Sequence, residues 1–106
     1  MITCPVQQTL YIISNKWNIL IIYNLLSGKK RFFELKKSLE KISSKVLIEN
    51  LNFLIQAGLI KKNTYYSVPI KTEYMLTELG FSLVPVLDEL FFWGENYKQK
   101  HFDNEV

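Results

Sequence analysis

The sequence predicts a mainly α chain with a small β-hairpin, an α+β class, and three observations predict it. Apolar residues recur at helical spacing from Leu10 to Ile55 and again from Phe81 to Tyr97. Between these stretches, Leu59 to Leu76 is instead rich in β-branched and aromatic residues about a proline-bearing turn. The segment from Arg31 to Tyr66 sets two short amphipathic helices around a tight polar turn, follows them with a basic strand, and holds most of the positive charge. With 106 residues, 48% of them hydrophobic, residues 1–106 suffice for one domain with one core and are too few for two.

Taken in order, Leu10, Ile13 and the run Trp17, Ile19, Leu20, Ile21, Ile22, Leu25, Leu26 give two helices broken near Ser14-Asn15, with Ser27-Gly28 ending the second. Ser14 and Asn15 suit an N-cap, and Gly28 suits a C-cap. The second helix is apolar nearly all round, so it is expected at the centre of the core with Trp17 inside. A short helix follows from Phe32 to Leu39, with Phe32, Leu35 and Leu39 on one side. Glu40-Lys41-Ile42 forms the turn, and Ser43 or Ser44 caps the next helix. There Leu47, Leu51, Leu54 and Ile55 face one way; at about 100° per residue, Lys45, Glu49, Asn52 and Gln56 fall on the other. Ala57-Gly58 ends it. Leu59–Tyr66 and Thr72–Leu76 are the hairpin strands, joined by Ser67-Val68-Pro69-Ile70-Lys71.

Thr77 caps a last helix from Glu78 to about Lys100, about 34 Å long, with a bend expected at Pro85. Leu83, Leu87, Leu90 and Tyr97 form one apolar stripe, and Phe81, Val84, Phe91, Phe92 and Trp93 widen it beyond a single face. A helix laid across its own domain needs one stripe only. The surplus marks a partner surface, so residues 78–100 are expected to hold a homodimer through Leu83, Leu87, Leu90, Phe91 and Tyr97.

Residues 29–71 carry ten Lys and Arg against three Glu, a net +7, whereas residues 72–106 carry two Lys against seven carboxylates, a net −5. The overall +3 thus conceals a strong separation of charge. Lysines can merely solvate exposed helices. Concentrated on two helices, a turn and a hairpin in the order of a winged helix-turn-helix, they form a phosphate footprint, and the polar face of the second helix lies where such a fold reads base edges. Double-stranded DNA is the expected partner.

With these elements placed, the chain resembles the HxlR-type family of bacterial winged-helix transcriptional regulators, within the MarR-like winged-helix superfamily. The resemblance runs from Cys4 to about Tyr97. It is carried by Cys4-Pro5, Lys16-Trp17 before an Ile-Leu run, Gly28, Arg31-Phe32-x-Glu34-Leu35, Ile42-Ser43, Leu47, Leu51, Leu54, Gly58-Leu59, Pro69, Glu73-Tyr74, Leu76-Thr77-Glu78-x-Gly80 and Trp93. No single match is specific; order and spacing together are. The resemblance implies a homodimer with a reading core at about residues 16–77, each subunit placing its recognition helix in the major groove and its wing on the adjoining backbone or minor groove. Carried over by position, Ser43, Ser44, Lys45, Ile48, Glu49 and Asn52 would be the reading face, Arg31 a backbone contact and Lys71 the wing's cation. Ile48 stands where relatives often have Thr, Asn52 where they often have Arg, and Ile70 in place of a second wing proline, so no operator sequence carries over. Glu49 could contact a base or pair with Lys45 at i, i+4; Asn52 could pair with adenine or be a surface amide.

Some family members use a cysteine at the position of Cys4 to sense oxidants or electrophiles. A thiol ahead of a helix start feels the positive end of the helix dipole, which favours thiolate; the plainer alternative is a short side chain filling a gap. One cysteine cannot form an internal disulfide or a thiol metal cage. With His101 as the only histidine, placed in an acidic tail expected to fray, no zinc site or Cys-His-Asp arrangement is expected, and Gly28, Gly58, Gly80 and Gly94 stand apart rather than in a phosphate loop. No catalytic residues, cofactor or metal are therefore expected. Residues 1–13 lack the pattern of a signal peptide, and no apolar run reaches the length of a membrane span, which suggests a cytoplasmic protein. A winged-helix protein-interaction module is the first competing function, which the basic block disfavours. RNA binding is the second, kept open by Tyr65 and Tyr66 among the lysines.

Overall fold

A computed structural model describes residues 4–102. The N-terminal half folds as α1 (Pro5–Ile13), α2 (Lys16–Leu25), β1 (Lys30–Arg31), α3 (Phe32–Ser38) and α4 (Ser44–Gln56); β2 (Ile60–Tyr65), β3 (Lys71–Leu76) and α5 (Glu78–Phe102) complete it. Local chemistry sets these boundaries. Pro5 opens α1, where its missing N–H costs nothing. Asn15 caps α2 by accepting from the Trp17 N–H at 2.9 Å, and Ser43 caps α4 by accepting from the Val46 N–H at 3.1 Å. In the turn between α3 and α4, Lys41 adopts a left-handed φ of 73°.

The core is a continuous cluster in which Ile21, Ile22 and Leu25 of α2 meet Leu35 and Leu39 near α3, Leu47, Leu51 and Leu54 of α4, and Ile60, Tyr74 and Leu76 of the sheet. α2 is its hub, as its all-round apolarity predicts, and Trp17 packs against the cluster from its edge. The sheet has three strands rather than the two of a hairpin. β1 joins the far edge of β3, giving the antiparallel order β1-β3-β2, with Lys30 opposite Tyr74, Arg31 opposite Glu73, and β2 registered from Ile60↔Leu76 to Tyr65↔Lys71. Two residues of basic sequence carry too little β signal to be read as a strand. Their partner, β3, supplies the order, reinforced by a Lys29–Glu73 ion pair at 3.6 Å.

The junction between sheet and α5 is closely built. Thr77 Oγ1 donates to the Gly58 carbonyl at 2.6 Å and accepts from the Gly80 N–H at 3.1 Å, while the Thr77 N–H donates to the Leu59 carbonyl at 3.1 Å. Gly80 lies so near Leu59 that a Cβ there would collide with the Leu59 carbonyl oxygen. Gly58 ends α4 with φ +80°, a backbone that glycine adopts freely.

α5 is a continuous helix of 25 residues through Pro85, about 37 Å long. Its first turns pack on the core through Leu83, Val84 and Leu87, and Tyr23 of α2 donates to Asp88 Oδ1 at 3.0 Å. Burial, then the hydrogen bond and the charge of Asp88, push the Tyr23 phenol pKa upward. From Asp88 to His101 every residue is exposed. The Cα radius of gyration, 16.1 Å, exceeds the roughly 13 Å of a compact chain of this length, as a projecting helix requires. His101 does not lie in a frayed tail: the helix continues through it and its ring stacks on Tyr97 at 5.1 Å. Asp103 and Glu105 of the acidic tail lie outside the described residues.

Candidate nucleic-acid interface

α4 turns Leu47, Leu51 and Leu54 inward, and this burial fixes which residues face out. Ser43, Ser44, Lys45, Ile48, Glu49, Asn52 and Gln56 are all exposed. Ile48 is 49% exposed, an apolar side chain held in water on a face the subunit's own core does not use. Ser43 is occupied as the helix cap, which leaves the N-terminal turn of α4 open with its backbone N–H groups and the positive end of the helix dipole. Lys45 and Glu49 form an i, i+4 pair at 3.9 Å; with side chains 87% and 61% exposed, the pair is weak enough for either partner to be drawn elsewhere.

β2 and β3 stand beside this face. A cleft of about 410 Å³ separates them from α4, bordered by Phe32, Ile48, Asn52, Lys62, Thr72 and Tyr74. Asn52 and Lys62 thus share one wall system, although Lys62 was not among the sequence candidates. Alternation within β2 could not have found it, since it sets Lys62 on the same face as the buried Ile60; only the position of the wing beside α4 reveals it. Lys71 opens β3 and is exposed, next to a wing tip where Tyr66, Val68 and Ile70 are also in water. Arg31 is half-buried between β1 and α3; its backbone N–H donates to Glu34 Oε1 at 2.8 Å, so its place is set by the start of α3. Burial raises the phenol pKa of Tyr74 beneath the cleft.

Cys4 is exposed and is the N-cap residue of α1, with no hydrogen bond from its side chain to the helix N–H groups. On α5 the expected seam divides. Leu87 is 2% exposed and belongs to the subunit's own core, and Leu83 is partly buried against that core, so the assignment of Leu87 to a partner-facing seam is corrected. The reason is geometric: the stripe is continuous in sequence, but the core lies beneath only its first three turns. Leu90, Phe91 and Tyr97 extend past the core and remain exposed, together with Phe92 and Trp93. Trp93 and Tyr97 stack with ring centroids 5.3 Å apart.

Among the described residues, no three His, Cys, Asp or Glu side chains gather as metal ligands, and no helix is long and apolar enough to cross a membrane.

Comparison with known proteins agrees with this geometry. YdeP, an HTH-type transcriptional regulator of Bacillus subtilis strain 168, is 44% identical over 97 residues, covering 92% of this chain and 76% of YdeP. The solved structure of the HTH-type transcriptional regulator YtcD superposes with a TM-score of 0.83 at 41% identity, covering 90% of this chain and 97% of that one. The redox regulator HypR in its oxidised form superposes with a TM-score of 0.79 at 38% identity, over 88% of this chain and 96% of HypR. The model of the HxlR-like helix-turn-helix family matches residues 12–102, and with winged-helix architecture, relatives and solved structures in agreement, the chain belongs to that family of transcriptional regulators.

Proposed function

We propose that the protein is a cytoplasmic, homodimeric regulator that binds pseudo-palindromic double-stranded DNA, with α4 in the major groove and the β2–β3 wing on the neighbouring backbone or minor groove. The observation that carries this reading is the exposed row Ser44, Lys45, Ile48, Glu49 and Asn52 on the first turns of α4, with Lys62 of the wing across the cleft from Asn52. Asn52 is the candidate for bidentate pairing with adenine, and Ile48 for apolar contact with a thymine methyl. Ser43 opens the reading face while capping α4, and Arg31 and Lys71 are positioning contacts to phosphate. Two copies joined through Leu90, Phe91 and Tyr97 of α5, with Leu83 at the edge of the seam, would present two α4 helices to major grooves about 34–36 Å apart or a multiple of that.

Cys4 is proposed as a thiol sensor, supported by its exposure at the α1 N-terminus and by the family membership of a redox regulator. With one cysteine per chain, a reversible disulfide forms only between subunits or with a small thiol, and a sulfenic acid or an electrophile adduct are the other outcomes.

The test is footprinting on the DNA around the protein's own gene, followed by salt titration. A two-fold-symmetric footprint is expected, and Lys71→Ala should weaken all sequences alike, flattening the log–log salt slope by about 1.8 for two lost phosphate contacts per dimer. Asn52→Ala should change preference at particular base pairs only. Uniform loss from both variants would remove Asn52 from base reading, and tighter binding to single-stranded RNA than to duplex DNA would overturn the reading as a whole.

A further inference from the structure

The loop that joins β2 to β3, Tyr66-Ser67-Val68-Pro69-Ile70, lies wholly in water, yet its side chains are largely apolar. Tyr66 is 88% exposed, Val68 fully so and Ile70 65%. A turn at the end of a hairpin is ordinarily polar, and an apolar run left in water there points to a use. The hydroxyl of Ser67 is spent within the loop, donating to the Pro69 carbonyl at 2.8 Å, and the Ser67 N–H donates to the Tyr65 carbonyl at 2.9 Å. Proline fixes one φ, and the branched side chains of Val68 and Ile70 hold few rotamers. The tip is therefore stiff as well as apolar, so little order is lost when something covers it.

The stem beneath says what that something is. From Asn50 to Thr72 the sequence holds no carboxylate, while Lys61, Lys62 and Lys71 are exposed on the strands that lead to the tip. An apolar point on a cationic stem matches a partner that is anionic outside and apolar within, as a base-paired duplex is. The reach agrees. Lys62 and Thr72 border the cleft shared with Asn52 of α4; three further residues of β2 extend about 10 Å past that level, and three loop residues to Val68 add at most about 10 Å more. A minor groove lies about half a helical turn, about 17 Å, from a major groove that holds α4.

We propose that Val68, Pro69 and Ile70 form a wedge that enters the minor groove beside each α4 and opens a pyrimidine–purine base step, kinking the duplex toward its major groove. This deepens the reading of the protein as a duplex-DNA regulator and rests on it. Apolar side chains unstack base steps in this way, and TpA and CpA steps open most readily. The wing then selects sequence by deformability, at positions that α4 does not touch.

The experiment uses the whole chain and duplexes bearing the footprinted half-sites, with a TpA step set at the minor-groove contact of each wing and its adenine replaced by 2-aminopurine, whose fluorescence rises when it unstacks. A second pair of unlabelled duplexes carries TpA or ApA at that step. Wild type should raise the fluorescence severalfold, bend the duplex by at least about 20° in end-to-end energy transfer, and bind TpA at least about fivefold more tightly than ApA, the low end for one altered base pair. The double variant Val68→Ser, Ile70→Ser changes only side chains outside the core; it should still bind through α4, more weakly, and lose the fluorescence rise, the bend and the step preference. Wild-type binding without the fluorescence rise, or an equal rise from the double variant, would overturn the wedge and leave α4 as the reader. No duplex binding by wild type would overturn the regulator reading and the wedge together. Binding to phosphatidylglycerol vesicles that the double variant loses, with its duplex signals unchanged, would assign the tip to a lipid surface instead.

Discussion

Replacing Phe91 by glutamate separates dimerisation from folding. Phe91 is 60% exposed in the subunit, and its ring makes an edge contact with Phe92 at 5.7 Å. An aromatic side chain has on the order of 200 Å² to bury, so covering the exposed part removes roughly 120 Å² from water, worth about 3 kcal/mol at about 25 cal/mol per Å². Two-fold symmetry counts the loss twice, about 6 kcal/mol per dimer, which is about four decades in the dimer dissociation constant. An unpaired carboxylate forced into the seam adds desolvation to that loss. Sedimentation velocity at low micromolar protein should therefore show wild-type dimers and Phe91→Glu monomers of unchanged helix content, with operator affinity reduced because each monomer grips one half-site. Leu87→Ala is the contrasting control: lying inside one subunit, it should cost about 2–5 kcal/mol of folding stability without selectively releasing monomers. A Phe91→Glu protein that remains dimeric and binds its operator like wild type would refute the seam on the projecting half of α5.

Three further outcomes are expected. Diamide should change operator binding of wild type but not of Cys4→Ser; an equal response from both would exclude Cys4 as sensor. Gly80→Ala should cost about 2–3 kcal/mol, typical of overpacking, read as a lowered denaturant midpoint, because the added Cβ collides with a backbone carbonyl rather than a movable side chain. Tyr23→Phe should cost about 1 kcal/mol near neutral pH. Since the folded state raises the Tyr23 pKa above its ordinary 10.0, the stabilisation is complete below pH 10 and fades as pH rises through the folded value, so the two proteins should converge in alkaline urea melts. No gap near neutral pH would show that Tyr23 acts by packing alone, and a gap that stays constant across the alkaline range would refute the raised pKa.

Helices, caps and hairpin were legible because each rests on a local rule. Asn15 and Ser43 cap where their side-chain chemistry suggests, and the 3.6-residue period of α4 gives its outward face directly. What local rules miss is tertiary. β1 exists because β3 offers an edge, which leaves no periodic trace. Asn50 lies on the buried period of α4, three residues after Leu47 and four before Leu54, but its polar type hides it, and burial is tolerated because its amide closes on Val46 within the helix. Leu87 shows the limit most clearly: a heptad-like stripe specifies a direction around the helix, but not how far along it the subunit's own core extends. Lys62 joined the candidate site only when the wing's position beside Asn52 was known.

The junction at Thr77 and Gly80 has a mechanical consequence. Backbone and side-chain bonds tie the start of α5 to the Gly58 and Leu59 carbonyls, directly after the C-terminus of α4, and the collision a Cβ would make at Gly80 leaves no slack between them. α5 is therefore held along its first turns, at Thr77 against the end of α4 and through Leu87 and the Tyr23–Asp88 bond on the core, and only the part beyond Asp88 projects as an arm. A 5° tilt of that arm, about 21 Å long, moves its far tip by about 2 Å; conversely, a shift of that size between two α5 tips, where the proposed dimer would be held, returns to each subunit as a tilt of a few degrees. Half-site spacing in such a dimer is set at the pivot, so a chemical event at the far end of α5 could retune DNA register without touching a single base-facing side chain.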